Sequence, residues 1–210
     1  MKLNTDGIKT DSLEIPRESN AFSLLSDSEG FIYVFTEDHP TVESIFNQSQ
    51  GRINKYTNNL DTLLWSLSLP DNNGKRFYSV FTISEASNGD LLICGGVTEN
   101  GDEAPVVSDH NYTGNAYVSR ISKDGDIKWL HFYKVPNSHS LLPVKEYGYY
   151  RNSFLGNVYE LEDGRVVASG TTIYTQRQRE KFVVSAVEGF SEFLILVVDG
   201  ETGCIESEEC

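Results

Sequence analysis

The sequence predicts an all-β fold built from repeated four-stranded antiparallel units, on three observations. Short runs rich in β-branched and aromatic residues alternate along the chain with Asp-Gly and Asn-Gly turn dipeptides. Two motifs recur, always in the same order. The two tryptophans, Trp65 and Trp129, occupy the same place in two copies of one motif. A fixed order of recurring motifs separates a repeat array from a sandwich, which needs many short strands but no such order.

The first motif is clearest in "RISKDGDIKWLHFY", Arg120 to Tyr133, which reads as strand, two-residue Asp124-Gly125 turn, strand. Its counterparts are "KYTNNLDTLLWSLSL", the N-terminal "KLNTDGIKTDSLEI" and, more faintly, "LVVDGETGCIES". The second motif appears as "LLSDSEGFIYVFTE", "ISEASNGDLLICGGVTE" and "YELEDGRVVASGTT", carrying Gly30, Gly89 and Gly164. In the middle copy the four strands are expected at about Phe77 to Glu85, Asp90 to Val97, Asn115 to Ser122 and Asp126 to Tyr133. Asn88-Gly89 joins the first pair and Asp124-Gly125 the last, dipeptides that accept the positive φ angles of tight hairpin turns. Around the first tryptophan, Leu63, Trp65, Leu67 and Leu69 fall on one face of a strand and Ser66 and Ser68 on the other. Burying a tryptophan removes roughly 150–250 Å² from water, worth on the order of 4–6 kcal/mol before entropy is counted. Both tryptophans are therefore read as packing residues that set which face of each unit turns inward.

Repeated four-stranded antiparallel units with tight turns are propeller-like, so the expected architecture is a partial β-propeller-like array of about three to three and a half blades. Residues 1–15 would end a preceding blade, with one strand from Ile8 to Ile15. Residues 16–70, 71–135 and 136–210 would each form a blade, the last with a C-terminal cysteine loop, all within one domain. Closed propellers usually have about four to eight blades. The chain is thus expected to begin in mid-blade, either as part of a longer array or as an open arc that another copy completes.

Three segments carry a family resemblance: Asn88-Gly89 with "DLLICGG", then Tyr117-Val118-Ser119-Arg120-Ile121, then Asp124-Gly125-Asp126-Ile127-Lys128-Trp129. This succession resembles the tryptophan-bearing blade repeats of secreted bacterial propeller proteins, especially of the Bacteroidetes type. The ending "VVDGETGCIESEEC" is similar to the close of such arrays, sometimes found ahead of a sorting domain for type IX secretion. The resemblance implies an architecture and an extracellular, cell-surface or periplasmic setting, with the export signal outside this chain. It implies no catalytic set.

Charge narrows the partners. A formal charge of −14 repels nucleic acid and anionic membrane surfaces, which are bound mainly through Lys and Arg. No run of about 18 apolar residues is present to insert as a helix into a bilayer. Among the three cysteines, Cys94 lies in the apolar run "LLICGG" and reads as a small buried hydrophobe. Cys204 and Cys210 close the short loop "CIESEEC", which reads either as a local disulfide in an oxidising compartment or as two exposed thiols.

In an antiparallel four-stranded unit the first and third turns lie at one end and the second turn and the connection to the next unit at the other. The short glycine turns then share one end. The long segments Glu37 to Gly51, Thr98 to Gly114, Thr172 to Ser191 and Pro136 to Arg151 share the other, where binding on a rigid scaffold is expected. His39, Asp109, His110, Tyr112, His139, Tyr149 and Arg151 all lie there, with Arg177 and Arg179 in the basic run "TQRQREKF". Arg177, Arg179 and Lys181 could receive an anionic glycan or a partner carboxylate, against the plainer reading of a solvated loop balanced by Glu180.

Catalytic readings are weaker. Ser108-Asp109-His110 has the letters of a triad, but adjacent residues in an extended loop cannot hydrogen-bond in series. No His or Cys spacing suits zinc, so no metal site is expected. Calcium is the one ion that acidic loops such as Glu99 to Glu103 could hold, although the EF-hand spacing is absent and "DNNGK" has its glycine two positions early. A quinone-cofactor propeller also carries tryptophan in its blades, but only "DGDIKW" is similar to it. The expected role is a non-catalytic scaffold for protein or glycan binding or display, self-associating if the array is open. The rival is a secreted enzyme, a polysaccharide hydrolase or lyase or a quinoprotein, with its site on the long-loop face.

Overall fold

A computed structural model of the chain describes the backbone of residues 2–3, 9–11, 19–38, 50–70, 76–99, 114–133, 149–180 and 183–205, and the side chains of 23–36, 51–70, 82–97, 115–133, 153–172 and 193–205. The fold is all-β, as the turn and strand periodicities predict. A short antiparallel pair, β1 (Lys2–Leu3) and β2 (Lys9–Asp11), precedes the array, with Lys2 opposite Asp11. The first unit is β3 (Ser19–Ser26), β4 (Ile32–Asp38), β5 (Gln50–Tyr56) and β6 (Leu63–Ser68), antiparallel in sequence order. The second is β7 (Arg76–Glu85), β8 (Leu91–Glu99), β9 (Gly114–Ile121) and β10 (Ile127–Tyr133), within a residue or two of the expected strands. The described part of the third is β11 (Tyr149–Glu160), β12 (Val166–Glu180) and β13 (Val183–Val198). A single parallel bridge, Asn152 opposite Gly114, joins the third unit to the second. The first strands lie side by side, β3 against β7 and β7 against β11, which gives a partial propeller-like array.

Alternation along the strands builds two separate cores. Tyr33, Phe35 and Ile53 of the first unit meet Ile83, Leu91, Ile93, Tyr117 and Ile121 of the second. The opposite face of the second unit, with Leu92, Cys94, Ala116, Val118 and Trp129, meets Leu155, Val158, Val166 and Ala168 of the third. Neighbouring residues of one strand thus serve different cores, because successive side chains of a strand point to opposite faces. The middle unit is covered on both faces, and this explains why "LLIC" is apolar throughout rather than alternating.

Three expectations are corrected. The glycine turns have three-residue loops rather than two. Gly89 N–H donates to Ala86 O at 2.9 Å while Ala86 N–H donates to Asp90 O at 2.8 Å, and the same pair of bonds closes the turns that end at Gly30, Gly125 and Gly164. The mirror-image two-residue turn needs positive φ at both central residues. Here the four glycines have φ of 83–97°, while Leu60, at 62°, is the only positive-φ non-glycine among the described residues. Asn88, Asp124 and Asp163 therefore keep ordinary φ, and the glycine forms a bulge after a type I turn.

Leu63 leaves the face of Trp65. The register slips by one residue between Lys55 and Tyr56, so Leu63 and Leu64 are both exposed while Trp65, Leu67 and Leu69 turn inward. The extra residue of a β-bulge breaks the two-residue period.

The third correction concerns Thr172 to Ser191, whose described residues, 172–180 and 183–191, are strand rather than loop. β12 runs 15 residues and β13 runs 16, paired from Val166 opposite Val198 to Glu180 opposite Val183. Thr, Ile, Tyr, Val and Phe are frequent through this span, and such residues suit a pleated strand. β11 likewise begins at Tyr149, so part of the connection from Pro136 to Arg151 is strand.

Candidate functional site

The chemistry-bearing side chains that the structure describes gather at the glycine-turn end, along the seams between units. Trp65 on β6 donates its indole N–H to Lys123 O, in the Asp-Gly turn of the next unit, at 3.2 Å. Trp129 on β10 donates to Gly200 O, in the corresponding turn of the third unit, at 3.0 Å. Gly125 lies under the Trp65 ring, where an added Cβ would sit 3.1 Å from Cδ2. Gly203 lies under the Trp129 ring, where it would sit 2.8 Å from Cδ2. Each tryptophan is thus a bracket that caps the next unit's turn, with an apolar body in the seam and a polar tip at its end.

A cation stands beside each bracket. Lys55 is the cross-strand partner of Trp65, and Arg120 of Trp129. Lys55 Nζ donates to Lys123 O at 3.1 Å and sits 4.3 Å over the Phe31 ring. Arg120, only 2% exposed, donates from Nη1 to Gly200 O at 2.8 Å and from Nε to Asp90 Oδ2 at 2.7 Å. Its Nη1 also lies 3.0 Å from Glu160 Oε1. One carbonyl therefore accepts from both tryptophan and cation at each seam.

Carboxylates complete the pattern. Glu85 takes two bonds from Ser28 of the preceding unit's turn, 2.8 Å from N–H and 2.6 Å from Oγ. Glu160 takes the Ser87 N–H at 2.7 Å in the same way. Asp90 accepts from Arg120, from Lys128 Nζ at 2.7 Å and from Asn88 Nδ2 at 2.9 Å. Burial works to raise the pKa of both Asp90 and Glu160. The donors around them outweigh it, so both carboxyls titrate below their usual range: Lys128, Arg120 and Asn88 for Asp90, Ser87 and Arg120 for Glu160. Below the brackets, Ser84 Oγ donates across the seam to Val158 O at 2.8 Å, and Thr82 Oγ1 to Gly156 O.

An open cleft of about 480 Å³ lies at this end between the first two units, lined by Asp27, Ser28, Glu29, Glu85, Asn88 and Lys123 among others. Several of its polar groups are already engaged: Asp27 accepts from Phe31 N–H and Tyr33 OH, Glu85 from Ser28, and Asn88 bonds Asp90. The cleft is a structural junction. Among the described residues no three His, Cys, Asp or Glu gather as a metal cluster.

The candidate binding residues are placed as follows. His39, Asp109, His110, Tyr112 and His139 lie outside the described residues, as do Asp102, Glu103 and Lys181. Tyr149 and Arg151 lie on β11 opposite Gln176 and Tyr174 of β12, and Arg177 and Arg179 continue β12 opposite Ala186 and Val184 of β13. These four therefore share the end of the third unit remote from the turns, and their side chains are outside the described set. Cys204 is disulfide-bonded, Cys210 lies outside the described residues, and Cys94 is a buried thiol pushed up by burial to about 12.

The sequence reading passed over Lys55, Arg120, Asp90, Glu85 and Glu160. A signal was present: Lys55 and Arg120 each stand two residues before the first residue of a turn, and Glu85 and Glu160 each stand directly before one. Aligning the motifs by their turns would have paired them.

The fold and seams define an all-β repeat protein whose successive units are locked through their turns. No protein-family model matches the chain, and no curated protein matches it. Among solved structures it is similar to a protein of unknown function from Bacteroides caccae, with 11% identity and a TM-score of 0.44 over 90% of this chain. The chain spans about half of that structure, 52% of its length.

Proposed function

We propose that this chain is part of a β-propeller scaffold that binds protein or glycan in a secreted or cell-surface protein, without catalysis of its own. The observation that carries the reading is the division of labour between the two ends of the array. At the turn end, Asp90, Glu160, Arg120 and Lys55 bond one another or a turn carbonyl, so the groups best suited to acid-base chemistry act as seam braces. At the other end β12 and β13 continue beyond the first residue of β11, bringing Arg177 and Arg179 to a two-stranded ribbon. Arginines suit carboxylate-bearing ligands, because the guanidinium fork matches a carboxylate. The disulfide at Cys204 supports an oxidising, extracytoplasmic compartment. Tryptophan-bearing blades of the Bacteroidetes type, with their type IX export, fit the same setting.

The test is direct. The chain is titrated with uronate-containing polysaccharides and with neutral controls, and reducing ends and unsaturated products are assayed in parallel. Binding of the acidic polymers that drops at least tenfold in Arg177→Ala/Arg179→Ala, with no product released, is the expected result. Product release proportional to protein concentration would replace this reading with the hydrolase or lyase. Acidic-polymer binding that survives the double substitution would remove the ribbon from the site.

A further inference from the structure

The second unit places an amide where its neighbours place carboxylates. The residue before the turn glycine is Glu29 in the first unit, Asn88 in the second and Asp163 in the third, and the residue after that glycine is Phe31, Asp90 and Arg165. In the third unit the two positions are matched by charge: Asp163 Oδ2 accepts from Arg165 Nε at 2.9 Å and from Nη2 at 2.7 Å. In the second unit Asp90 is itself the acceptor, so a neutral donor stands beside it. Asn88 Nδ2 donates to Asp90 Oδ2 at 2.9 Å, and Asn88 Oδ1 accepts from the Asp90 N–H at 3.1 Å. The same Oδ2 takes Arg120 Nε and Lys128 Nζ, both at 2.7 Å. Gly89 is required for a separate reason, its φ of 83°.

Together these two demands produce Asn-Gly, the dipeptide most open to attack from within, because glycine puts no side chain beside the backbone nitrogen. In that reaction the Gly89 nitrogen bonds to Asn88 Cγ, the Cγ–Nδ2 bond breaks, and ammonia leaves with the proton that Gly89 gives up. Water then opens the succinimide at either carbonyl, leaving aspartate or isoaspartate. The folded turn opposes every part of this. Ring closure ties Cγ to the Gly89 nitrogen and so fixes ψ of residue 88 far from about 0°, the value at the second central position of a type I turn. It also breaks both Asn88–Asp90 bonds and the 2.9 Å bond from Gly89 N–H to Ala86 O. The third unit holds the turn as well, since Glu160 accepts the Ser87 N–H at 2.7 Å and Arg120 joins Glu160 to Asp90. Asn88 is exposed, so its protection is conformational rather than a matter of keeping water away.

We propose that Asn88 is a deamidation site gated by the seam between the second and third units, and that its product unlocks that seam. The reaction proceeds when the seam opens far enough to free the turn. The carboxylate then formed at residue 88 has no proton to offer Asp90 Oδ2 and repels it, in contrast to the charge-matched pair of the third unit. An isoaspartate adds a methylene to the backbone of a three-residue loop as well. The modification is therefore one-way: a seam that has opened and reacted cannot close with the same bonds.

The full chain is held at pH 8, native and in concentrated urea, and peptide mapping by mass spectrometry with isoaspartate detection follows Asn88 apart from Asn73 and Asn100, the other asparagines that precede glycine. Asn88 should react roughly tenfold or more slowly in the native protein, because only the locally opened fraction reacts. Glu160→Gln weakens the hold on the Ser87 N–H and should speed the native reaction, whereas Glu85→Gln, the matching change at the first seam, should leave it unaltered. At pH 7 Asn88→Asp should have a lower urea midpoint than Asn88→Ala, since alanine removes the amide without adding a charge. Equal native and unfolded rates, or equal effects of the two glutamate substitutions, overturn the gate. A midpoint for Asn88→Asp at or above that of Asn88→Ala overturns the unlocking.

Discussion

Trp129 and Gly200, 71 residues apart in sequence, are joined by a 3.0 Å hydrogen bond from indole to carbonyl, and the same carbonyl accepts Arg120. Trp65 and Lys123, 58 residues apart, repeat the bond one unit earlier, with Lys55 in the place of Arg120. The recurring tryptophan is therefore a fastener between units, and its effect on stability is set by how dry its seam is.

Trp129 is 7% exposed and Trp65 only partly buried. Replacing either by Phe removes the indole bond and part of the ring volume. Trp129→Phe should cost about 2–3 kcal/mol and Trp65→Phe about 1 kcal/mol, since an unmade bond is dearer in a dry seam. Urea unfolding measures both, and an equal or reversed order would contradict the seam assignment.

Arg120 neutralises two carboxylates that are themselves nearly buried, at 6% and 8% exposure. Arg120→Met leaves Asp90 with Lys128 and Glu160 with Ser87, and should lower stability by about 3–5 kcal/mol, the usual cost of breaking a buried pair from one side. Lys55→Met, at the seam with one carbonyl and two rings, should cost less than half as much. Chemical denaturation of the two variants decides the order.

Glycine substitutions should rank by what a methyl group meets. Gly89 has φ of +83° with open space around it, so Gly89→Ala should cost about 1–2 kcal/mol for the left-handed backbone alone. Gly203 has φ of +76°, and its added Cβ would lie 2.5 Å from His131 Cδ2 and 2.7 Å from Trp129 Cε3, so Gly203→Ala should cost clearly more. Differential scanning calorimetry should therefore show the larger fall in Tm for Gly203→Ala, and the reverse order would refute the packing of that turn.

Acid should open the seam between the second and third units. The folded pKa values of Asp90 and Glu160 are depressed, so their contribution is fully present above the unfolded values of about 3.9 and 4.3 and is lost as pH falls through the folded ones. Urea midpoints should be insensitive to these groups from about pH 5 upward and fall below it, more steeply for wild type than for Glu160→Gln. Identical slopes below pH 5 would show that Glu160 does not brace the seam.

Cys94 is fully buried, and its thiol is pushed up to about 12 by burial. It should resist iodoacetamide in the native protein at pH 8 and react on unfolding. Rapid native labelling would mean that the second seam opens locally.

Much of the architecture was legible in the residues. Strand positions follow from apolar runs bounded by Asp-Gly and Asn-Gly, and the continuous apolar stretch "LLIC" already marks a strand covered on both faces. These are local signals, because φ preference and two-residue alternation act within a few positions of one another. Turn type and facing near Leu63 were less legible, since one bulged residue reverses every later side chain and its insertion depends on the partner strand's register. Residues 172–191 misled for a similar reason: Arg, Gln and Glu within a β-branched run suggest a loop until a partner strand satisfies the backbone. Which charges matter was decided only by tertiary structure. Arg120 and Glu160 on two strands and Asp90 in a turn are brought together, and each alone resembles an ordinary surface charge. The sequence by itself determined a repeating all-β chain with two equivalent tryptophans. The stacking of units decided what those tryptophans grip, because a hydrogen bond across 71 residues exists only once both cores have brought the turns together.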